Sequence, residues 1–390
     1  MTVNGTEAGG QRFDVAVIGA GIVGLAHALA AARAGLKVVV IERDVRANGA
    51  SIRNFGFITV TGQPRGDVWR LARRTRDIWA EVAPRAGIAV EHQGLVLTVR
   101  RPESVDVIEA FLATEMGEGC EFLTPDELQR RFPEIAAKDS RGALTSPHEL
   151  RVDSPAAIPR LADWLEREHG VVFRFGETAL KAAPPVIETS RGTVFAERAV
   201  VCPGDDFSSL FPERIDAYGL KRCRLTMLKL AAPGFRWPAG VMSDLGLVRY
   251  RGYADLPEAT PLRRRIEEEQ ALCLANGIHL IAVQNADGSL VVGDSHHYDD
   301  LPSPFAPAEV EALLLDEFKR STGVEPPPIV ARWTGVYAVS DEQAYLVDTP
   351  SPEVRLVIVA SGTGASTAFA IAERTIAELC GTSAPSGASA

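Results

Sequence analysis

The sequence of 390 residues has no apolar run long enough to span a bilayer, so an integral membrane protein is not expected. Its polar stretch 1–12 lacks the apolar core of a secretory signal. The five cysteines are scattered and never spaced as CxxC, which argues against a disulfide framework and a zinc site. These absences predict a cytoplasmic protein with no membrane span and no metal site.

Nucleic acid is not an expected partner either. The net charge is −10, and no basic run is long enough to mark a nucleic-acid-binding surface. One arginine cluster, within residues 70–76, has helical spacing and is interpreted as the solvated face of a helix. The chain contains no internal repeat, and its length suits two domains.

The most informative stretch is the sequence GAGIVG at residues 19–24. A short β-branched apolar run, 13–18, precedes it and predicts a buried parallel strand. Residues 22–34, rich in Ala and Leu, predict a helix, and a second strand is predicted over 37–41. This strand–turn–helix–strand unit is typical of dinucleotide binding, although by itself it does not distinguish FAD from NAD.

Each glycine of the unit has a physical task. Gly19 makes the tight turn, Gly21 lets the backbone approach a pyrophosphate, and Gly24 permits close packing of helix and strand. The helix N-terminus offers free N–H groups to the phosphates. Glu42, at the end of the second strand, can accept hydrogen bonds from a ribose diol.

Later segments predict a second sheet and a second glycine turn. Strand character at 222–230, 247–253, 277–284 and 289–293, with little helix between, indicates a mainly antiparallel sheet. An apolar strand then leads into the stretch SGTGAST, residues 361–367, which precedes a last helix. This turn could present N–H groups to a ring carbonyl, or could simply cap the helix.

Seven motifs taken in order carry a family resemblance. They are GAGIVG, GASIRNFGFI, VDSPAAIPRLADWLEREHGVVF, AVVCPG, LVVGDSHHYDD, WTGVYAVSDEQAYLVD and ASGTGAST. This order resembles the D-amino acid oxidase, glycine oxidase and sarcosine oxidase superfamily of flavoproteins, over residues 13 to about 379. The resemblance implies an α/β fold in which a Rossmann-like FAD-binding domain is joined to a mainly antiparallel substrate domain.

Both domains are expected to be discontinuous. The FAD-binding domain would comprise 13–80, 150–210 and 330–380, the substrate domain 81–149 and 211–329, and 381–390 would be a disordered tail. Non-covalent FAD is expected, because the loop 47–57 has no His and the stretch 333–347 has no Cys for a covalent tether. By motif match, the residues expected to contact FAD are Gly19, Ala20, Gly21, Ile22, Gly24, Glu42, Arg43, Ser51, Arg53, Asn54, Phe55, Gly56, Leu180, Gly204, Gly362, Thr363, Gly364 and Thr367.

The resemblance also bears on the substrate. Related amino-acid oxidases clamp the substrate carboxylate with an Arg where this chain has Tyr337, so an amino acid would lose its main anchor. His279 and His296 stand where relatives line the substrate cavity, although either could be a satisfied core histidine.

The run from Arg249 to Arg251 is a further candidate for substrate binding. If it forms a strand, Arg249 and Arg251 share one face and Tyr250 lies on the other. That arginine face could equally lie in solvent.

A pocket with His, Tyr and Arg but without the carboxylate clamp suits another anion. The sequence GDSHHY resembles a branch of the superfamily associated with phosphonate breakdown. That resemblance implies oxidation of 2-aminoethylphosphonate or its N-methyl derivative to phosphonoacetaldehyde, ammonia or methylamine, and hydrogen peroxide, with O2 or another acceptor. No catalytic side chain is assigned, because the flavin carries the redox chemistry.

Two alternatives stay open. One is a glycine, sarcosine or D-amino acid oxidase in which Arg249 or Arg332 replaces the missing clamp. The other is a non-catalytic FAD-binding protein or a subunit for electron transfer.

Overall fold

A computed structural model describes residues 11–135, 137 and 139–382. Most of the predicted tail, 383–390, lies outside the described residues. In the part described, no helix is both long and apolar enough to cross a membrane.

The helices of the described residues are mostly amphipathic or apolar and cover the sheets. In chain order α1 to α11 are Ile22–Arg33, Asp67–Arg85, Pro102–Leu112, Pro125–Arg131, Ser154–His169, Pro212–Asp216, Arg251–Ala254, Ala259–Glu269, Ala271–Ala275, Ala308–Thr322 and Gly364–Cys380. Short 3-10 turns occupy Ala50–Ile52, Glu115–Gly117 and Asp244–Val248.

The strands form two sheets. In chain order β1 to β18 are Arg12–Ile18, Val38–Glu42, Phe57–Ile58, Val90–Val99, Glu121–Leu123, Gly142–Val152, Val172–Phe175, Ala179–Ala183, Val186–Thr189, Gly192–Val201, Lys221–Leu230, Gly240–Ser243, Ile281–Gln284, Leu290–Gly293, His297–Asp299, Ile329–Val339, Tyr345–Ser351 and Val354–Val359.

The first sheet has the order β17-β18-β10-β1-β2-β7, with β9 and β8 extending from β10. Strand β1 pairs in parallel with β2 and β10, and β10 pairs in parallel with β18. The stretches 15–17, 38–41 and 199–201 of these strands are apolar and buried, and α1, α2, α5 and α11 share one core cluster with the sheet. The predicted Rossmann-like unit is therefore confirmed.

The second sheet has the order β15-β11-β14-β13-β12-β4-β6-β3, with β16 paired to β11 and β5 to β6. Among the described residues every pairing in it is antiparallel except β4 with β12. The predicted mainly antiparallel second unit is confirmed.

The sheets divide the chain differently from the expected boundaries at two places. Strand β16 pairs with β11 along nearly its whole length, so 329–339 belongs to the second sheet and not to the first. Strand β3 likewise pairs with β6 of the second sheet. Both strands were expected in the FAD-binding domain but pair within the second sheet, and the local sequence pattern does not reveal this pairing. The remaining domain boundaries stay a prediction.

The predicted strand at 247–253 is wrong. The segment is a 3-10 turn followed by helix α7, with the Tyr250 N–H donating to the Gly246 carbonyl at 2.9 Å. It folds tightly because it packs against the loop at Gly62, where a Cβ added to Gly252 would lie 2.7 Å from the Gly62 carbonyl carbon. The alternation of faces expected for Arg249, Tyr250 and Arg251 therefore does not apply.

Candidate active site

A cleft of about 620 Å³ lies between the two sheets. The carboxyl ends of the parallel strands open into it, at Ile18, Glu42, Val201 and Val359. Ligands of open α/β sheets bind at this edge. The opposite wall is formed by side chains of the second sheet.

The first glycine turn is too crowded for side chains. An added Cβ would lie 2.5 Å from the Cys202 carbonyl oxygen at Gly19, where φ is +104°, and 1.8 Å from the Gly19 carbonyl oxygen at Gly24. At Gly21 it would lie 2.9 Å from Ser51 Oγ, which accepts a hydrogen bond of 2.9 Å from the Ile22 N–H. The geometry fits the three roles predicted for these glycines.

The start of α1 suits a phosphate. Gly21 is the N-cap and offers no side chain to the free N–H groups of the first turn. Glu42 lines the cleft beside this turn, and its carboxylate accepts hydrogen bonds from the Ala20 N–H at 2.7 Å and the Asp44 N–H at 3.0 Å. Ala20 itself is buried and contributes this backbone bond instead of lining the cleft. These features fit a dinucleotide.

The second glycine turn lines the same cleft. Gly362 has φ +73°, and an added Cβ would lie 2.9 Å from Cζ of Tyr337. Thr363, the N-cap of α11, makes no side-chain capping bond, so the helix start faces the cleft without a side-chain cap. Thr367 is different: its side chain is buried and donates to the Thr363 carbonyl at 3.0 Å, away from the cleft.

The loop before β3 supplies residues that line the cleft and a glycine that packs closely against the backbone of β6. Ser51, Arg53, Asn54 and Phe55 line the cleft. Gly56 does not line it. An added Cβ at Gly56 would lie 1.7 Å from the Val152 carbonyl oxygen, so its function is close packing of two backbones.

Leu180, the expected adenine contact, is not among the residues that line the cleft. Its side chain is 60% exposed, and the neighbouring Thr178 and Ala179 line the cleft. Arg43 and Gly204 line the cleft as expected. Arg43 also forms an ion pair of 2.7 Å with Asp206.

The three candidate arginines for substrate binding differ in position. Arg249 is half-buried in the cleft, and its guanidinium donates to the Tyr298 hydroxyl at 2.8 Å. Arg251 lies at the rim with an exposed side chain, in an ion pair of 3.2 Å with Asp255. Arg332 is also exposed and pairs with Glu311, outside the cleft lining.

Both candidate histidines line the cleft in a compact aromatic group. The ring centroids of His279 and His296 are 4.8 Å apart, and those of Tyr250 and His279 are 5.1 Å apart. The ring of Tyr337 lies 6.4 Å from that of His296 and meets the Gly362 turn on its other side. Tyr337 thus joins the histidines to the second glycine turn.

Sequence reasoning missed Asp294. Its carboxylate is buried between the two histidines, with Oδ1 3.4 Å from His279 Nδ1 and Oδ2 3.7 Å from His296 Nε2. Burial raises the pKa of Asp294 to about 7, although the nearby charge of Arg249 opposes that rise. A charged residue directly after the apolar strand β14, inside the motif GDSHHY, was the available signal.

The histidines are neutral. Burial lowers the pKa of both His279 and His296 well below the ordinary value, and the positive charge of Arg249 lowers them further. Burial raises the pKa of Tyr250 and Tyr337, so both phenols keep their protons. This end of the cleft therefore holds neutral rings, one guanidinium and one carboxyl group that can gain or lose a proton near neutral pH.

Similarity to known proteins agrees with this geometry. The chain is 25% identical to glycine oxidase of Geobacillus kaustophilus (strain HTA426) over 207 residues, which are 50% of this chain and 55% of that protein. It thus spans about half the length of this curated relative.

Solved structures share the fold over nearly the whole chain. The glycine oxidase of Bacillus cereus ATCC 14579 superposes with a TM-score of 0.75 at 16% identity, covering 95% of both chains. The FAD-bound L-alpha-glycerophosphate oxidase of Mycoplasma pneumoniae superposes with a TM-score of 0.73 at 14% identity, again over 95% of both chains.

A family model described as "FAD dependent oxidoreductase" (DAO) matches residues 14–379. The glycine turns at both ends of this range and the cleft between them are what such a cofactor requires. The chain therefore belongs to the DAO family of FAD-dependent oxidoreductases.

Proposed function

We propose that the protein oxidises a small primary or N-methylated amine that also carries an anionic group. Within this class the narrower candidates are 2-aminoethylphosphonate and its N-methyl derivative, which would give phosphonoacetaldehyde and ammonia or methylamine. The observation that carries the proposal is Arg249. Its guanidinium lines the cleft, and among the described residues its side chain hydrogen-bonds only to the neutral hydroxyl of Tyr298.

FAD is proposed to bind without a covalent tether along the two glycine turns. The turn of Gly19 and Gly21 and the start of α1 would hold the pyrophosphate, Glu42 the adenosine ribose, and the Gly362 turn the ring system. When bound, FAD would supply the two-electron oxidation of the carbon next to the substrate nitrogen. The chain supplies the binding, the orientation and the electrostatic surroundings of the amine.

The charges at the substrate end favour an anion beside Arg249. Arg249 is charged, and the neighbouring His279 and His296 are neutral, so the guanidinium is the positive charge at this end of the cleft. A planar guanidinium fork can bind two oxygens of a phosphonate or a carboxylate at once. An anion held at Arg249 would leave the amine end of the substrate among His279, His296 and Asp294, which line the same cleft.

A second candidate is the oxidation of glycine, sarcosine or a D-amino acid. Arg249 favours it as well, because the guanidinium could hold a carboxylate in place of the clamp that Tyr337 replaces. Similarity to the Geobacillus glycine oxidase points the same way. Arg332 is not suited to this role, since it is exposed and paired with Glu311.

The test is anaerobic reduction of the bound flavin, which is monitored as the loss of its visible absorption. The holoenzyme is mixed in turn with 2-aminoethylphosphonate, its N-methyl form, glycine, sarcosine and D-alanine. We expect reduction by the phosphonates. Reduction by the amino acids alone would establish the second candidate, and reduction by none of the five would refute both. Hydrogen peroxide measured in air then shows whether O2 is the acceptor.

Arg249→Met tests the anion anchor. Removing one member of a hydrogen-bonded charge pair inside a cleft costs about 2 kcal/mol, so half-maximal reduction should need roughly 30 times more substrate. Arg249→Lys keeps the charge and should lose less. Arg251→Met is the matched control, because Arg251 is exposed and paired with Asp255, and its substrate dependence should stay as in the wild type. Equal changes in substrate dependence in Arg249→Met and Arg251→Met would contradict the proposal that Arg249 binds the anionic group.

A further inference from the structure

Asp294, His279 and His296 form a buried cluster in which some polar atoms make no hydrogen bond. Within the described residues, Oδ1 of Asp294 and Nδ1 of His279 are buried and have no hydrogen-bond partner. All three side chains are less than 7% exposed, and all three line the cleft. Unsatisfied buried polar atoms in a cleft call for a function or for a bound partner.

The hydrogen bonds fix where one proton lies. His296 Nδ1 is 2.9 Å from the Gly277 carbonyl, which can only accept, so Nδ1 carries the proton. The lone pair of His296 Nε2 therefore faces Oδ2 of Asp294. His279 Nε2 is 3.1 Å from the Tyr250 hydroxyl, which leaves Nδ1 to face Oδ1 of Asp294. A lone pair facing a carboxylate oxygen is repulsive unless a proton or a metal ion lies between them.

A proton suits this position better than a metal ion. The three side chains are close enough for a metal, with their ligand atoms within 4.8 Å of one another. The positive charge of Arg249, however, acts on all three groups and opposes a second cation. The charge of Asp294 in turn acts on Tyr250, Tyr298 and the thiol of Cys223, and burial raises the pKa of each, so they stay neutral.

We propose that Asp294, whose carboxyl group lies between His279 and His296, is the base that removes a proton from the ammonium group of the bound substrate. The inference rests on the proposed amine oxidation. In the step, one N–H bond of the ammonium breaks and one O–H bond forms on Asp294. The nitrogen keeps the electron pair and becomes the neutral amine that is ready for oxidation. Asp294 becomes a neutral carboxylic acid, which can donate to the lone pair of His296 Nε2.

The acidity of Asp294 suits this task. Burial raises its pKa to about 7, so near neutral pH the carboxyl group is ready both to take up and to release a proton. An ammonium group with an ordinary pKa near 10 is almost wholly protonated at that pH. A group that deprotonates it inside the cleft lets the enzyme use the abundant ammonium form.

The test compares wild type, Asp294→Asn and the control Asp300→Asn as holoenzymes. Asp300 is exposed and lies six residues further along the chain. Flavin reduction is followed anaerobically against pH with the amine that works in the panel above. In the wild type the rate at saturating amine should fall below about pH 7, as Asp294 takes up its own proton.

Asp294→Asn should lose that dependence at saturation, because only the free amine then binds productively. Its second-order rate of reduction should be roughly 100 times lower near pH 8 and should rise about tenfold per pH unit towards the pKa of the amine. Asp300→Asn should match the wild type. A wild-type pH profile in Asp294→Asn would overturn the proposal.

Infrared spectroscopy separates this inference from the substrate assignment. Between about pH 6 and 8, where ordinary carboxyl groups are ionised, the band of a protonated carboxyl group should disappear in the wild type as the pH rises, and it should be absent from Asp294→Asn. This measurement needs no substrate, so it decides the protonation of Asp294 even if no amine in the panel reduces the flavin. A band unchanged by Asp294→Asn would overturn the proposal. So would a metal ion bound at one per chain in the wild type and lost in that variant.

Discussion

Replacing the glycines of the first turn with alanine should have very different effects on stability. At Gly24 the new Cβ would lie 1.8 Å from the Gly19 carbonyl oxygen, which is part of the backbone and cannot swing away. Close carbon–oxygen contacts need about 3.3 Å. Helix α1 would have to retreat from the turn by roughly 1.5 Å, and we expect a loss of about 3 kcal/mol or more in the free energy of unfolding.

At Gly21 the new Cβ meets a movable atom. It would lie 2.9 Å from Ser51 Oγ, which can rotate away. The φ of Gly21 is −70°, which alanine adopts without strain. The loss is then the hydrogen bond from the Ile22 N–H to Ser51 Oγ, worth about 1 kcal/mol.

The assay is the apparent thermal midpoint of the protein freed of FAD, at a fixed scan rate, so that any loss of FAD binding does not add to the effect. At roughly 1.2 °C per kcal/mol for a chain of this size, Gly24→Ala should lower the midpoint by about 4 °C and Gly21→Ala by about 1 °C. Gly49→Ala is the control, because no atom lies within 4 Å of its added Cβ, and its midpoint should not change. In a Ser51→Ala background, Gly21→Ala should cost almost nothing further, since the hydrogen bond is already lost.

A thermal midpoint of Gly24→Ala within about 2 °C of the Gly49→Ala control would show that crowding at Gly24 does not limit stability. It would also fail if Gly21→Ala cost more than Gly24→Ala, because the crowding at the two positions would then not govern stability. Full additivity of Gly21→Ala and Ser51→Ala would show that the two side chains do not share one hydrogen bond.

Two further predictions concern the cofactor and the response to pH. Glu42→Ala should lower the amount of flavin retained after gel filtration, because it removes the acceptor of the Ala20 N–H and the proposed ribose contact. Glu42→Gln keeps one oxygen and should retain more flavin. Unchanged flavin content in both variants would contradict the proposed ribose contact of Glu42. Burial lowers the pKa of His27 to about 4, so below the unfolded value of 6.5 the unfolded chain binds a proton that the folded chain does not. Stability should therefore fall by up to about 3 kcal/mol as the pH drops from 6.5 to 4, and urea unfolding of His27→Gln should show a flatter dependence; an unchanged slope would exclude His27 as the cause.

Much of the fold follows from local sequence. The glycine spacing at 19–24, the β-branched strands around it and the acid at Glu42 are all adjacent in the chain, so strand, turn and helix could be predicted together. The antiparallel strands of the second sheet also carry their own pattern, as at 222–230 and 289–293. Periodicity and turn chemistry act over a few residues and can be read from them.

The segment around Arg249 shows where prediction from the local sequence pattern fails. Its alternating residues resemble a strand, but contact with the loop at Gly62 makes it a turn and a short helix. This change sends Arg249 into the cleft and leaves Arg251 at the exposed rim. The packing partner is almost 200 residues away in sequence, so no window around Arg249 contains the information.

What the sequence alone determined was the class of cofactor and the turns that are proposed to hold it, because those depend on backbone shape and on neighbours in the chain. What only the tertiary structure decided was the chemistry of the substrate end. Asp294 and His296 share one segment, but His279 and Arg249, which lie beside them, come from two others. Its acidity depends on burial and on those neighbours together, and both exist only once the chain has folded.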